Sequence, residues 1–316
     1  MKSIFAQQPE AIQYFNSPTL GIINYTVLRL SDGATIYNVS NTDNQQYNLW
    51  GYLSTDYSGN IVTIGNLPPN KVNVVVYNPQ ANEYSLQYGN ANIQFGYSLG
   101  LQSFVWNQKY SVVSTAGIDF GTDVYSTLAI LNFGFGKTSQ STPVDLGISE
   151  NATARFNGNP LGAYDGSNYY YIFYNLGSQL GLVRYSFADS SIQAVEIDAV
   201  GGPNSATQSL YYYNGQVILA TLTPKWGVTI ATIAPESGDF AIIYKDGNYQ
   251  KKSFSGLVQP FVFDSNTGTI TILNVNGLNL FVDIFSLSTL QVKSSVFTNT
   301  IPIGTLRTIS VSAGQF

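Results

Sequence analysis

Paired carboxylates are the first candidates for chemistry, because cleaving a glycosidic bond takes two carboxyl groups facing one sugar. Glu196 and Asp198 stand two apart, the spacing that puts both on one face of a strand, and Asp119 and Asp123 flank Phe120-Gly121-Thr122 in a loop-like stretch. A solvated strand face and a turn account for the two pairs more simply. Acidic sugars would also demand clustered arginines, whereas Arg29, Arg155, Arg184 and Arg307 are scattered. Asp264-Ser265-Asn266-Thr267-Gly268 alternates oxygen-bearing side chains as a calcium loop does, yet Val275 stands at the twelfth position, where a bidentate glutamate belongs. Gly136-Lys137-Thr138 lacks the glycine five positions earlier that a phosphate loop requires, since residue 131 is leucine. Lys245, Lys251 and Lys252 make a basic cluster that reads as a solvated loop.

Whole classes of chemistry are closed by residue type. The 316-residue chain has no histidine and no cysteine, which removes imidazole bases, thiol nucleophiles and the usual ligands of zinc. No catalytic residue, metal site or cofactor is therefore expected. Thirteen Lys and Arg against eighteen Asp and Glu give a net charge of -5, the wrong sign for gripping nucleic-acid phosphates. Aromatic residues, at 14%, are the surplus. Trp50, Trp106, Tyr169, Tyr171, Tyr211, Tyr213 and Trp226 are candidates for an aromatic contact surface, because Tyr and Trp offer wide area with a polar tip. In each Tyr triplet, 169–171 and 211–213, alternation sends the middle ring to the opposite face, so most of these rings are expected to pack between neighbouring sheets. Asn24, Asn38 and Asn151 satisfy the Asn-x-Ser/Thr rule for glycosylation.

The elements that must position these residues are strands. Apolar or alternating runs are centred near residues 26, 75, 129, 184, 230 and 282, roughly 50 residues apart, and each leads through a turn into another strand. A second hairpin precedes most of them, clearest in Leu210–Leu219 with Asn214-Gly215 at its tip. Two hairpins per period make a four-stranded blade. The strand expected from Gly304 to Val311 has no hairpin behind it, and the Ile22–Leu30 hairpin has none ahead of it. The expectation is thus an all-β, six-bladed β-propeller closed by strands from both termini: one domain over 1–316 with an N-terminal arm of about 20 residues. Tandem β-sandwiches are the alternative. Pro9 to Phe15 is the one helix-compatible stretch.

No run approaches the 18 or so apolar residues of a membrane helix, and the first residues lack the apolar core of an export signal. Only 10% of residues are charged, and the polar surface must come from Tyr, Asn, Ser, Thr and Gly. In this blend the chain resembles structural proteins of viruses that infect archaea of hot acidic springs. The resemblance implies a non-enzymatic virion component, a platform for capsid neighbours or host-surface glycans, made inside the cell and carried out on the particle. A glycan-binding or glycan-cleaving propeller and an archaeal cell-surface protein are the alternatives.

Few cations mean few strong pairs for the carboxylates, so most native carboxyl pKa values should stay near their unfolded ones. Acid then removes little stability. The melting temperature at pH 3 is expected to lie within about 20 °C of that at pH 6, a margin worth several kcal/mol, and a calorimetric pH series checks it.

Overall fold

Turn chemistry sets the strand boundaries. Asn214 and Gly215 both lie in the left-handed region, at φ 48° and 82°, the pair of conformations that a two-residue hairpin turn demands. Among the described residues a second turn recurs four times: the N–H groups of Arg29, Ser186, Ala234 and Ser286 donate to the carbonyls of Ala34, Ser191, Asp239 and Gln291. Within each, Gly33, Ser190, Gly238 or Leu290 returns its N–H to the residue that opens the turn. That returning residue is left-handed every time, at φ 72°, 59°, 77° and 56°. Glycine takes this conformation freely; Ser190 and Leu290 hold it at a cost of about 1–2 kcal/mol.

The computed structural model describes residues 11–19, 22–41, 54–55, 61–67, 71–78, 81, 83–88, 97–99, 103–107, 109–110, 112–119, 127–134, 140–146, 156, 158–177, 179–198, 207–223, 227–247, 260–276, 279–298 and 305–311. Among these, every strand pairing is antiparallel and the strands group into six sheets. Sheet one runs β25 (Thr305–Val311), β1 (Ala11–Thr19), β2 (Ile22–Arg29), β3 (Thr35–Asn41). Sheet two runs β4 (Ser54–Thr55), β5 (Ile61–Leu67), β6 (Lys71–Asn78), β7 (Glu83–Tyr88). In sheet three, β8 (Tyr97–Leu99) and β9 (Val105–Asn107) share the edge of β10 (Val112–Asp119), followed by β11 (Thr127–Gly134) and β12 (Gln140–Val144). Sheet four is β13 (Leu161–Tyr164), β14 (Tyr169–Leu176), β15 (Gln179–Ser186), β16 (Ile192–Ile197). Sheet five is β17 (Thr207–Tyr213), β18 (Gln216–Thr223), β19 (Gly227–Ile233), β20 (Phe240–Asp246). Sheet six is β21 (Phe261–Asp264), β22 (Thr269–Asn276), β23 (Asn279–Ser286), β24 (Val292–Thr298).

Sheets three to six stack face to face in chain order, and sheet six packs on sheet one. Tyr170, Ile172 and Val183 of sheet four join Ala116, Leu128 and Ile130 of sheet three in one core. On its other face, Tyr171, Phe173 and Leu182 meet Leu210, Val217 and Leu219 of sheet five. Sheet five in turn packs Ile218 and Ile230 on Ile270, Ile272 and Phe285 of sheet six, and sheet six packs Leu273 and Val282 on Leu28 of sheet one. A sandwich buries one face of each sheet. Sheets four, five and six bury both, which sets aside the tandem-sandwich alternative for this part of the chain. The strands at one edge, β4, β9, β13, β17, β21 and β25, meet in succession. At the other edge, β16, β20 and β24 are almost wholly exposed or half-buried.

Several expectations are corrected. Residues 11–19 are strand β1, not arm or helix, because the stretch Ile12–Phe15 finds two partners to pair with. The C-terminal strand consequently lies beside β1 and not beside the first hairpin. Pro143 sits exposed within β12, an edge strand where its missing N–H costs no ladder bond. Ser54–Thr55 pairs with β5, and residues 49–53 fall outside the described residues.

Removing residues 304–316 strips β25 from the edge of β1 along the register from Ala11↔Val311 to Ser17↔Thr305. At roughly 0.5–1.5 kcal/mol per lost ladder bond, unfolding in urea should reveal a loss of at least about 3 kcal/mol. Removal of residues 1–8 should cost less.

Candidate functional site

Both Tyr triplets behave as alternation requires. In β14, Tyr170 points toward sheet three, fully buried, and donates its hydroxyl to the Ser103 carbonyl at 2.5 Å. Tyr171 points the other way and stacks on Tyr212 of β17, centroids 5.3 Å apart with planes 5° from parallel. On β17 the flanking residues face sheet six, where Tyr211 and Tyr213 meet the Phe263 ring at 5.1 and 5.9 Å. Tyr171, only 2% exposed, therefore offers no surface of its own. Tyr169, Tyr211, Tyr213 and Trp106 are half-buried, and Trp50 and Trp226 lie outside the described residues.

The site sits where sheets four and five meet at their turns. Asp165 Oδ1 accepts the backbone N–H groups of Ser167, Asn168 and Tyr169 at 2.8, 2.8 and 3.0 Å, which fixes the turn into β14 and the start of Tyr169. Arg184, on β15, lays its guanidinium 4.9 Å from the centre of the Tyr169 ring. Its Nη2 donates to Gln193 Oε1 on β16 at 2.5 Å, and its Nη1 donates to Glu236 Oε1. Glu236 belongs to the turn between β19 and β20, so this ion pair ties one sheet to the next. Arg184 is the more buried partner at 21% side-chain exposure, against 66% for Glu236. Beneath them, burial first, then Tyr212, Asp165 and Glu236, push the Tyr171 phenol up against the pull of Arg184. It stays protonated, a donor and not a base. A guanidinium, a carboxylate, an amide and phenol faces in one place can hold a hydroxyl-rich or planar polar ligand.

The other sequence candidates are not gathered here. Glu196 is exposed on β16 and Asp198 just beyond it; Asp119 ends β10, and Asp123 is outside the described residues. Asp264 is a turn residue, accepting Asn266 N–H and the Thr267 hydroxyl at 2.9 Å each. Lys245 is exposed on β20, while Lys251, Lys252, Arg155 and 135–139 are outside the described residues. Of the sequons, Asn38 is exposed on β3 and accepts a 3.1 Å hydrogen bond from Thr26; Asn24 lies in β2, and Asn151 is outside the described residues. Sequence reasoning missed Gln193 and Glu236. The only pointer to Glu236 was the recurring turn that carries it.

No protein-family model and no curated protein matches this sequence. In three dimensions the chain is similar to TolB from Acinetobacter baumannii, with a TM-score of 0.56 and 9% identity, over 95% of this chain and 66% of that one. It is also similar to puromycin hydrolase, with a TM-score of 0.54 and 12% identity, over 90% of this chain and 45% of that one. The chain thus spans just under two thirds of the first and less than half of the second. At such identities the likeness is one of fold, all-β and of propeller type.

Arg184→Ala removes the ring contact and both polar partners, and should cost about 1–2 kcal/mol in urea unfolding. Glu236→Ala removes only a surface ion pair, and should cost less than about 1 kcal/mol.

Proposed function

We propose that this chain is a non-enzymatic interaction protein: a six-bladed propeller closed by strands from both termini, using the turn end of sheets four and five as a contact surface. The order of strand contacts from β4 to β25, the β25–β1 pairing and the likeness in fold to propeller-type structures support the ring. One observation carries the binding role. Arg184 is held between the Tyr169 face, Gln193 and the largely exposed Glu236, so a planar donor is fixed in place at the rim of a seam. Fixed donors and aromatic faces recognise ligands with little ordering cost. Host-surface glycans, rich in hydroxyls, suit this set of groups, and the composition supports display on a virus particle.

A glycan array probed with the intact chain tests the reading. Binding that weakens at least tenfold in Arg184→Ala and in Glu236→Ala is the expected result, about 1.4 kcal/mol or more per charged contact. An intact chain that binds no glycan, or variants that bind as well as it does, would overturn it.

A further inference from the structure

The seam between sheets five and six contains a group of oxygen-bearing side chains that the interaction surface does not use. Ile270 and Ile272 of β22 lie in the core shared with sheet five, so Asn274, two residues on, faces the same way. Phe285 of β23 also faces sheet five, which puts Asp283 on that face, diagonal to Asn274 across the Ile272↔Asp283 pairing. From the opposite side, the Tyr244 ring of β20 meets Phe285 at 4.9 Å, and Asp246 follows it two residues later. Asp283 also hydrogen-bonds Ser294 of exposed β24, so the group reaches solvent at the outer edge. Asp246 is held there by a close approach: Gly227 is left-handed at φ 72°, and a Cβ on it would overlap the Asp246 carbonyl oxygen.

Asn274 points to a ligand. It is fully buried, and neither Oδ1 nor Nδ2 has a hydrogen-bond partner, a state that costs about 1–3 kcal/mol per group unless something fills it. Asp246 and Asp283 each stand two residues from a ring of the Tyr244–Phe285 contact, on the two facing sides of this seam.

We propose that Asp246, Asp283 and Asn274 Oδ1, with Ser294 beside them, form a binding site for a divalent cation of the calcium class. The donors are all hard oxygens, which favours calcium over softer transition metals, and carboxylate and amide ligands drawn from two sheets suit its flexible coordination better than the strict octahedron of magnesium. The site departs from the expectation drawn from the sequence. Among the described residues no three His, Cys, Asp or Glu side chains converge, and the third protein ligand here is an amide.

Terbium(III), a calcium-class probe that emits when a nearby tyrosine is excited, provides the test on the intact chain. Saturable emission displaced by calcium is expected, together with a calcium-dependent rise in melting temperature. Asp283→Asn should weaken binding at least tenfold, whereas Asn274→Asp, which adds a carboxylate, should tighten it about tenfold, since ligand charge sets affinity in such sites. Tyr244→Phe should keep calcium affinity and lose most of the emission. The proposal is overturned if no emission appears, if Asp283→Asn binds as tightly as the intact chain, or if Asn274→Leu leaves calcium affinity unchanged.

Discussion

Burial on both faces is the constraint from which the rest of this structure follows: in sheets four, five and six the strands inside the outer edge must serve two seams at once, and the two-residue period of a strand divides their side chains between them. Tyr212 is committed to sheet four while its neighbours Tyr211 and Tyr213 are committed to sheet six. A one-residue slip in β17 would exchange these sets and put each ring in the wrong seam. The strands accordingly read as nearly continuous apolar runs, as in Gln216–Thr223, where seven successive residues are buried.

Seams that crowded need small residues and polar pins at chosen points. A Cβ on Gly162 would overlap the Ser103 carbonyl oxygen, the same oxygen that receives the Tyr170 hydroxyl. Ser103 itself accepts the Ala116 N–H at 2.7 Å and shares a 2.9 Å hydrogen bond with Thr115. This buried set lies where the edge of β10 passes from β8 to β9, so side-chain oxygens satisfy backbone groups that a continuous strand would have paired. A further chain of bonds, Ser114 to Asn132 at 2.5 Å and Asn132 to Tyr185 at 3.2 Å, crosses from sheet three to sheet four.

The two ion pairs among the described residues, Arg29 with Asp32 and Arg184 with Glu236, both touch turns, and only the second joins two sheets. Asp189, fully exposed, is held down to about 2 by hydrogen bonds from Ser186 and then Ser191. A depressed carboxyl pKa supports the fold above its unfolded value and loses that support as pH falls toward the folded one. Asp189 therefore goes on bracing its turn until the medium is strongly acid.

What the sequence determined by itself is local and periodic. Asn214-Gly215 can take two left-handed residues in a row, so that hairpin was legible, and the run spacing near 50 residues marked the third strand of all six sheets. The Tyr triplets disclosed their two-way packing because alternation depends on nothing beyond the strand itself. Only the tertiary structure decided that residues 11–19 are a strand, since that segment is extended by partners from residues 22–29 and 305–311. The same holds for the Arg184 site: Gln193 and Glu236 come from a neighbouring strand and a neighbouring sheet, and no spacing along the chain encodes which turn will lie beside which strand once the sheets stack. Asn274 with Asp246 and Asp283 is the extreme case, because each reads alone as an ordinary strand residue and only burial of the seam brings them to one place.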